Sequence, residues 1–408
     1  MSRTPEQHVD EIRSLLPQPG SEMVDLNAAL DRRTAGPVKA RWDSPRFDNS
    51  QMDGYALSTA QLAGGTFPVG PTVAAGVDPA TVYPVGLDHD SLCPIMTGAR
   101  LPSGTAAVVA VEKTQPGDFV PEGTSVTIPS VAADQFMRLQ GSDIHAGEEI
   151  IPPGTELTPV HIALLASQSI TSVEVVRRLR IITVTGGAEI AEIAEITEST
   201  SNTAQPAATI PDANGPLLYA LARRHGIEVL AQLHTDDNPA RLADQLERAI
   251  DQYQPDAVIT SGGISHGKFE VIRQVLEPAE GAWFGHVDQQ PGGPQGLAVF
   301  HGTPVIALPG NPISTLVSFA LFIPPVLRGE PLTPIIAEMG EAATGLQDTR
   351  DQFLRGRWEV VDGCFIATPL PGTSSHLLAR GASATCLIRI RARTTVEAGN
   401  SVEIYPLG

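Results

Sequence analysis

Between residues 255 and 276 the chain passes from a short apolar run, 257–260, through a loop of serine, glycine and histidine into Phe269, Ile272, Val275 and Leu276 at helical spacing. The β-branched run suits a buried strand. Strand, glycine loop and helix in that order aim free backbone N–H groups at an anion. The glycines let a phosphate approach the main chain closely. A glycine loop alone is more often an ordinary strand-to-helix turn. The surrounding sequence decides the matter, because the same rhythm repeats over residues 178–328 and predicts a doubly wound α/β domain.

Residues 180–185 read as a strand, followed by a helix over 216–225 with Asn214 as N-cap and Gly226 just past its end. The strand 227–233 precedes a helix with Asn238 as N-cap, Pro239 at its first position and a stripe of Leu242, Leu246, Ala249, Ile250 and Tyr253. A last strand, 304–308, leads through Pro309, Gly310, Asn311, Pro312, Ile313 and Ser314 into a long apolar helix. In such sheets ligands bind outside the carboxyl ends of the strands. The loops 186–189, 234–237, 261–267 and 309–314 lie there, each polar or rich in glycine and proline, and they predict the pocket.

The flanking sequence has a different texture. Residues 47–138 are rich in Gly, Pro, Val and Thr with short β-like runs, which predicts an inserted β-rich domain. Residues 1–46 and 139–177, with helices expected over 5–16 and 159–167, are expected to pair as an elongated linking domain around it. Residues 329–408 read as an all-β, barrel-like domain with a hairpin turning at Asp362 and Gly363. A net charge of −19 argues against a nucleic-acid binder that works by neutralising phosphates, so an anionic ligand needs a local positive or N–H-rich pocket. Cys93, Cys364 and Cys386 are far apart and form no CxxC pair, which predicts a reducing, cytoplasmic setting. Glu6, Asp10 and Glu11 near the start, with no apolar stretch, do not read as a signal peptide. The apolar run 305–327 is broken by Pro309, Asn311, Pro312, Pro324 and Pro325, so a buried loop and helix are expected in place of a membrane span.

Residues 47–56 read FDNSQMDGYA, dense in polar and turn-forming residues. This stretch resembles the DNSxMDGYA signature of the molybdopterin molybdenumtransferase family, the MoeA and gephyrin E-domain group. Further matches follow in the family's order: Ile95-Met96-Thr97-Gly98-Ala99 with Leu101-Pro102, Val108-Val109 with Glu112, Gly141-Ser142-Asp143-Ile144, Ser261-Gly262-Gly263-Ile264-Ser265, and Leu308 to Ser314. The resemblance spans essentially the whole chain. It implies a MogA-like α/β domain and an enzyme that joins molybdate to the dithiolene of adenylylated molybdopterin, with a divalent cation, Mg²⁺, and release of AMP. It also implies a homodimer whose site combines the α/β domain with the partner's β-rich domain, and further contact with molybdenum enzymes or other proteins of the cofactor pathway.

Carried over position by position, Asp53, Asp143, Glu189, Asp236, Asp237 and Glu270 match acids at or near the family's site. The resemblance gives Asp53, Asp143, Glu189 and Glu270 catalytic roles, and Asp53, Glu189, Asp236 and Asp237 magnesium coordination, in keeping with the few protein ligands Mg²⁺ takes. Ser261, Gly262, Gly263, Ser265, Pro309, Gly310 and Asn311 match the pterin and phosphate loops. Ser314, Arg355, Ser374 and Ser375 match the molybdate region, where arginine and hydroxyl groups suit a tetrahedral oxyanion, and Thr97 matches the partner-side surface. The chain departs from the pattern at two motifs. Ala188 replaces the first acid of the TGDEL element, and Gly293 replaces the lysine of PGKP with Gln290 just before it. Lys268, Arg273 or His266 are the cations nearby in sequence. A degenerate relative that binds molybdopterin or partner enzymes without efficient metal insertion is the alternative these departures raise.

Overall fold

The computed structural model describes residues 2–186, 190–191, 210–236, 238–264 and 270–407. The chain divides into two compact units, Gly20–Arg177 on the one hand and Met1–Pro19 with Arg178–Gly408 on the other.

The second unit holds a six-stranded sheet in the order Glu228–Thr235, Arg180–Gly186, Ala257–Ser261, Thr303–Leu308, Pro294–Phe300, Trp283–His286. The first four strands run parallel and the last two pair antiparallel. Every residue of Ala257–Ser261 and Thr303–Leu308 is buried, as expected of central strands covered on both faces. The chain winds outward from Arg180–Gly186 to Glu228–Thr235 and then crosses back to Ala257–Ser261. The switch point therefore lies between the carboxyl ends at Gly186 and Ser261.

The helices follow their sequence signals closely. Pro239–Tyr253 is capped by the Asn238 side chain, which accepts from the Arg241 N–H at 3.1 Å, and its buried stripe is Leu242, Leu246, Ala249 and Ile250. Full burial of a leucine or isoleucine side chain stabilises by roughly 1.5–3 kcal/mol, so this face alone holds the helix to the sheet. Asn214–Arg224 begins two residues earlier than the sequence suggests, and Asn214 is not its cap. Asp212 does that work, accepting from the N–H groups of Asn214 and Gly215 at 2.8 and 3.0 Å. The helix Pro312–Arg328 is capped by Asn311, buried on most sides, and stopped by Gly329 at φ 66. Among the described residues no helix is long and apolar enough to cross a membrane.

Strands Ile335–Met339, Asp351–Val361, Cys364–Pro369, Cys386–Ile390 and Ser401–Pro406 close into a barrel, because Asp351–Val361 pairs with both Cys364–Pro369 and Cys386–Ile390. The hairpin turns at Asp362 and Gly363, both with positive φ, as the sequence predicts. Helix Pro5–Leu15 also belongs to this unit. Its buried Val9 and Ile12 join the core that includes Val317, Phe319 and Phe322, and Glu6 pairs with the buried Arg389. The apolar face of this helix packs on the long helix 312–328.

In the unit Gly20–Arg177, strands Cys93–Ile95, Gly54–Leu57 and Ala107–Ala110 form a three-stranded sheet over a core of Tyr55, Leu57, Leu92 and Val109. Ser21–Asp25 pairs with Ser172–Val176 beside the helix Pro159–Ser167.

Candidate functional site

Two loops meet at the carboxyl end of the central strands. Ser261 ends its strand with its hydroxyl donating to the Pro309 carbonyl at 3.1 Å and lying 2.9 Å from the Thr315 hydroxyl, which itself donates to Pro309 O at 2.7 Å. Gly262 and Gly263 follow at φ 98 and 63, a backbone path that a side chain would strain. A Cβ on Gly310 would stand 2.9 Å from the Gly262 Cα, so the two loops touch backbone to backbone. The Asn214 amide closes the third side, donating to the Gly310 carbonyl at 2.6 Å. Asp212 links the same helix start to the first strand through the Thr185 hydroxyl at 2.6 Å. The result is a closely linked crevice of backbone groups, hydroxyls and one carboxylate at the switch point.

The structure thus brings together Ser261, Gly262, Gly263, Pro309, Gly310 and Asn311 as the sequence predicts. Thr185, Asp212 and Thr315 were not singled out. The signal for Asp212 was available, since Asp212-Ala213-Asn214-Gly215-Pro216 is as dense in helix-starting residues as any stretch of the chain.

A second feature forms where the barrel meets the start of the long helix. Ser314, 5% exposed, follows Ile313, and a Cβ on Gly381 would lie 2.5 Å from Ile313 Cδ1 and 3.6 Å from Arg355 Cδ. Arg355 is 4% exposed and lines a small cleft with Gln290, Pro291, Gln352 and Thr373. Burial, and then the nearby charge of Arg380, push its guanidinium below its ordinary pKa. The neighbouring turn Pro291-Gly292-Gly293-Pro294 is held from beneath by two buried amides. Gln295 donates to the Gly292 carbonyl at 2.8 Å and the Ser318 hydroxyl at 2.7 Å, and Gln289 donates to the carbonyls of Pro291 and Gly292 at 3.1 and 3.2 Å. Ser374 is exposed with its hydroxyl 2.7 Å from His376 Nδ1, and Ser375 is half-buried beside it.

The acids are dispersed. Asp53 and Thr97 lie in the unit Gly20–Arg177, where one Asp53 oxygen accepts from the Thr97 N–H at 2.6 Å and its hydroxyl at 2.8 Å. The backbone bond from Thr97, then its hydroxyl, holds the Asp53 carboxyl below its usual range. Asp143 is exposed in the same unit and accepts from the Ser44 hydroxyl at 3.4 Å. Asp236 is engaged locally by Arg241 at 2.5 Å and by the Asn238 N–H at 3.0 Å. Glu270 is half-buried at the start of helix Val271–Leu276 and makes no capping bond. Glu189, Asp237 and Ser265, with Ala188, His266 and Lys268, lie outside the described residues. Among the described residues no three acids, histidines or cysteines gather as a metal cage, and two of the expected ligands, Glu189 and Asp237, lie outside them.

Three stretches of the chain match described families. Residues 3–169 match the MoeA N-terminal region (domain I and II), residues 181–329 the probable molybdopterin binding domain, and residues 343–407 the MoeA C-terminal region (domain IV). Molybdopterin molybdenumtransferase 2 of Mycobacterium tuberculosis is 33% identical over 405 residues, covering 94% of each chain. Molybdopterin molybdenumtransferase of a Nostoc species is 32% identical over 364 residues, covering 85% of this chain and 79% of that protein. Among solved structures, a molybdopterin biosynthesis MoeA protein from Pyrococcus horikoshii superimposes with a TM-score of 0.78 over 99% of both chains at 21% identity, a likeness of fold.

Proposed function

Because the chain belongs to the molybdopterin molybdenumtransferase family, we propose that it inserts molybdate into adenylylated molybdopterin with release of AMP. The observation that carries this reading is the crevice at Ser261, Gly262, Gly310 and Asn214, with the Arg355 cleft in the same unit. The bare glycine backbone at the carboxyl ends of the strands suits close approach of the phosphates of an adenylylated pterin. Arg355 with Ser314, Ser374 and Ser375 suits a tetrahedral oxyanion through charge-assisted hydrogen bonds. In this reading the crevice holds the phosphoanhydride in place, the cleft holds molybdate, and the fixed loops keep both from drifting before reaction. The two thiols of the dithiolene form two bonds to molybdenum as one oxo group of molybdate leaves as water with their protons, and water cleaves the phosphoanhydride so that AMP departs and the pterin keeps its phosphate.

Mg²⁺ belongs to the proposal as a neutraliser of phosphate charge, bound largely through substrate oxygens and water, since the described carboxylates make no cage for it. Asp53, Asp143, Glu189 and Glu270 are proposed as the acids that act at the site, with Asp53, Glu189, Asp236 and Asp237 those nearest the ion. The Asp53–Thr97 pair belongs to a different compact unit from the glycine loops. That separation supports a homodimer in which one chain's pair serves its partner's loops. Three free cysteines support a reducing, cytoplasmic setting.

The second reading, a protein that binds pterin without efficient insertion, is favoured by the neutral turn at Gly293. A titration separates the two. Adenylylated molybdopterin is added to the protein, and molybdate afterwards. Saturable binding followed by molybdate-dependent AMP release supports insertion. Binding with no AMP at any molybdate concentration favours the second reading, and failure to bind the pterin ends both.

A further inference from the structure

Two guanidinium groups bond to carbonyls of one loop, with no acid paired to either among the described residues. Arg355, buried in the strand Asp351–Val361, donates to the carbonyls of Gly372 and Leu377. Arg380, exposed in the short helix Leu378–Gly381, donates to the carbonyl of Pro371 at 3.3 Å. One of its nitrogens lies 3.0 Å from the place a Cβ on Gly372 would occupy. The two cations are therefore anchored on adjacent carbonyls, and Arg380's charge is close enough to help depress the Arg355 pKa. Every polar bond recorded for either guanidinium among the described residues runs to a backbone carbonyl.

Carbonyls satisfy the N–H groups but supply no countercharge. A buried guanidinium without a carboxylate is costly, and a second one alongside raises the cost. The chain carries 46 acidic against 27 basic side chains, so the pairing is not missing for want of acids. Two neighbouring guanidinia held on carbonyls, with no carboxylate partner among the described residues, suit an anion that comes and goes. Thr373, which follows Gly372 in the chain, lines the same cleft as Arg355.

We propose that Arg380 is a second cationic ligand of the oxyanion cleft, and that the pair takes a dianionic tetrahedral oxyanion. The buried Arg355 fixes the position, and the exposed Arg380 folds over the ligand from the solvent side. This rests on the reading of the Arg355 cleft given above and adds a residue and a charge preference to it.

The test compares molybdate, a dianion, with perrhenate, a monoanion of the same shape, by calorimetric titration into the intact protein. Arg380→Gln, Arg380→Lys and Arg355→Gln are run beside the wild type, with circular dichroism and thermal midpoints as checks of folding. Arg380→Gln is expected to weaken molybdate binding at least tenfold and perrhenate binding less than threefold, because losing one of two cations penalises the dianion more. Arg380→Lys is expected to keep most of the molybdate affinity. If Arg355→Gln abolishes molybdate binding while Arg380→Gln leaves it unchanged, the cleft stands and the role of Arg380 is overturned. If Arg380→Gln weakens both anions equally, the preference for a dianion is overturned. If the wild type binds neither anion, or Arg355→Gln changes nothing, the cleft itself has been misread.

Discussion

Gly293 has no side chain, yet its backbone would accept one. It lies outside the left-handed region, and a Cβ there would make close but not clashing contact with the carbonyl oxygens of Gln289 and Val287 at 3.3 and 3.4 Å and meet His286 Cδ2 at 3.6 Å. Gly293→Lys should therefore fold and bring a positive charge to the turn beside the cleft. One charge-assisted hydrogen bond is worth about 1–3 kcal/mol, so molybdate binding should tighten about tenfold. An unchanged dissociation constant in the same titration would show that Arg355 and its neighbours already supply the charge. The missing lysine was legible in the sequence because a motif frames it. Arg380 was not legible, because it carries no motif and comes near Arg355 only through the fold. A second residue hidden in the sequence is His8. It is fully buried against Trp283 and Phe322 with neither ring nitrogen bonded, and burial drives its pKa down from 6.5 to about 3. The unfolded chain thus takes up this proton first. The neutral ring's contribution is complete above pH 6.5 and is lost as pH falls towards 3. Between pH 6.5 and 5 the wild type should lose about 2 kcal/mol more stability than His8→Phe, at about 1.4 kcal/mol per pH unit. Equal slopes in urea unfolding across that interval would remove His8 from the account.

At the scale of elements, the crevice depends on two loops that can touch only because both are bare. Gly310→Ala would drive a methyl to within 2.9 Å of the Gly262 Cα, and backbone on both sides leaves it little room to move. The loops should part, pterin binding should fall by an order of magnitude or more, and the sheet beneath should keep its secondary structure. A variant that binds like the wild type would mean that the loops yield and that their contact is incidental. The strands and helices that build this crevice were legible because their patterns are strong. Leu242, Leu246, Ala249 and Ile250 mark a helix, and the wholly apolar run at 304–308 marks a central strand. The antiparallel strands Trp283–His286 and Pro294–Phe300 were not foreseen. Gly285 and Gly296 interrupt their alternation, and the reason lies in packing, since a Cβ on Gly296 would stand 2.4 Å from the Phe284 ring. Asn214 was misjudged as a cap because cap and crevice use the same residue types. Only the fold shows that Asp212 holds the helix while Asn214 reaches Gly310.

For the whole molecule, the placement of Asp53 in one compact unit and the glycine loops in the other is the fact that any account of activity must meet. We expect a homodimer by sedimentation at micromolar concentration, and a fully active monomer would contradict that. Asp53→Ala should abolish AMP release while leaving the fold intact. Asp53 is exposed and, among the described residues, its carboxylate bonds to Thr97, so normal turnover would reduce it to a turn residue. The central claim is that molybdenum passes from oxygen to sulfur ligands on this protein. Molybdenum K-edge absorption of the protein after incubation with adenylylated molybdopterin, molybdate and Mg²⁺ tests it most directly. The account predicts molybdenum–sulfur scattering that appears together with AMP and is absent from a reaction lacking the adenylylated pterin. A spectrum of molybdenum bound by oxygen alone, in protein shown to hold the pterin, would contradict it.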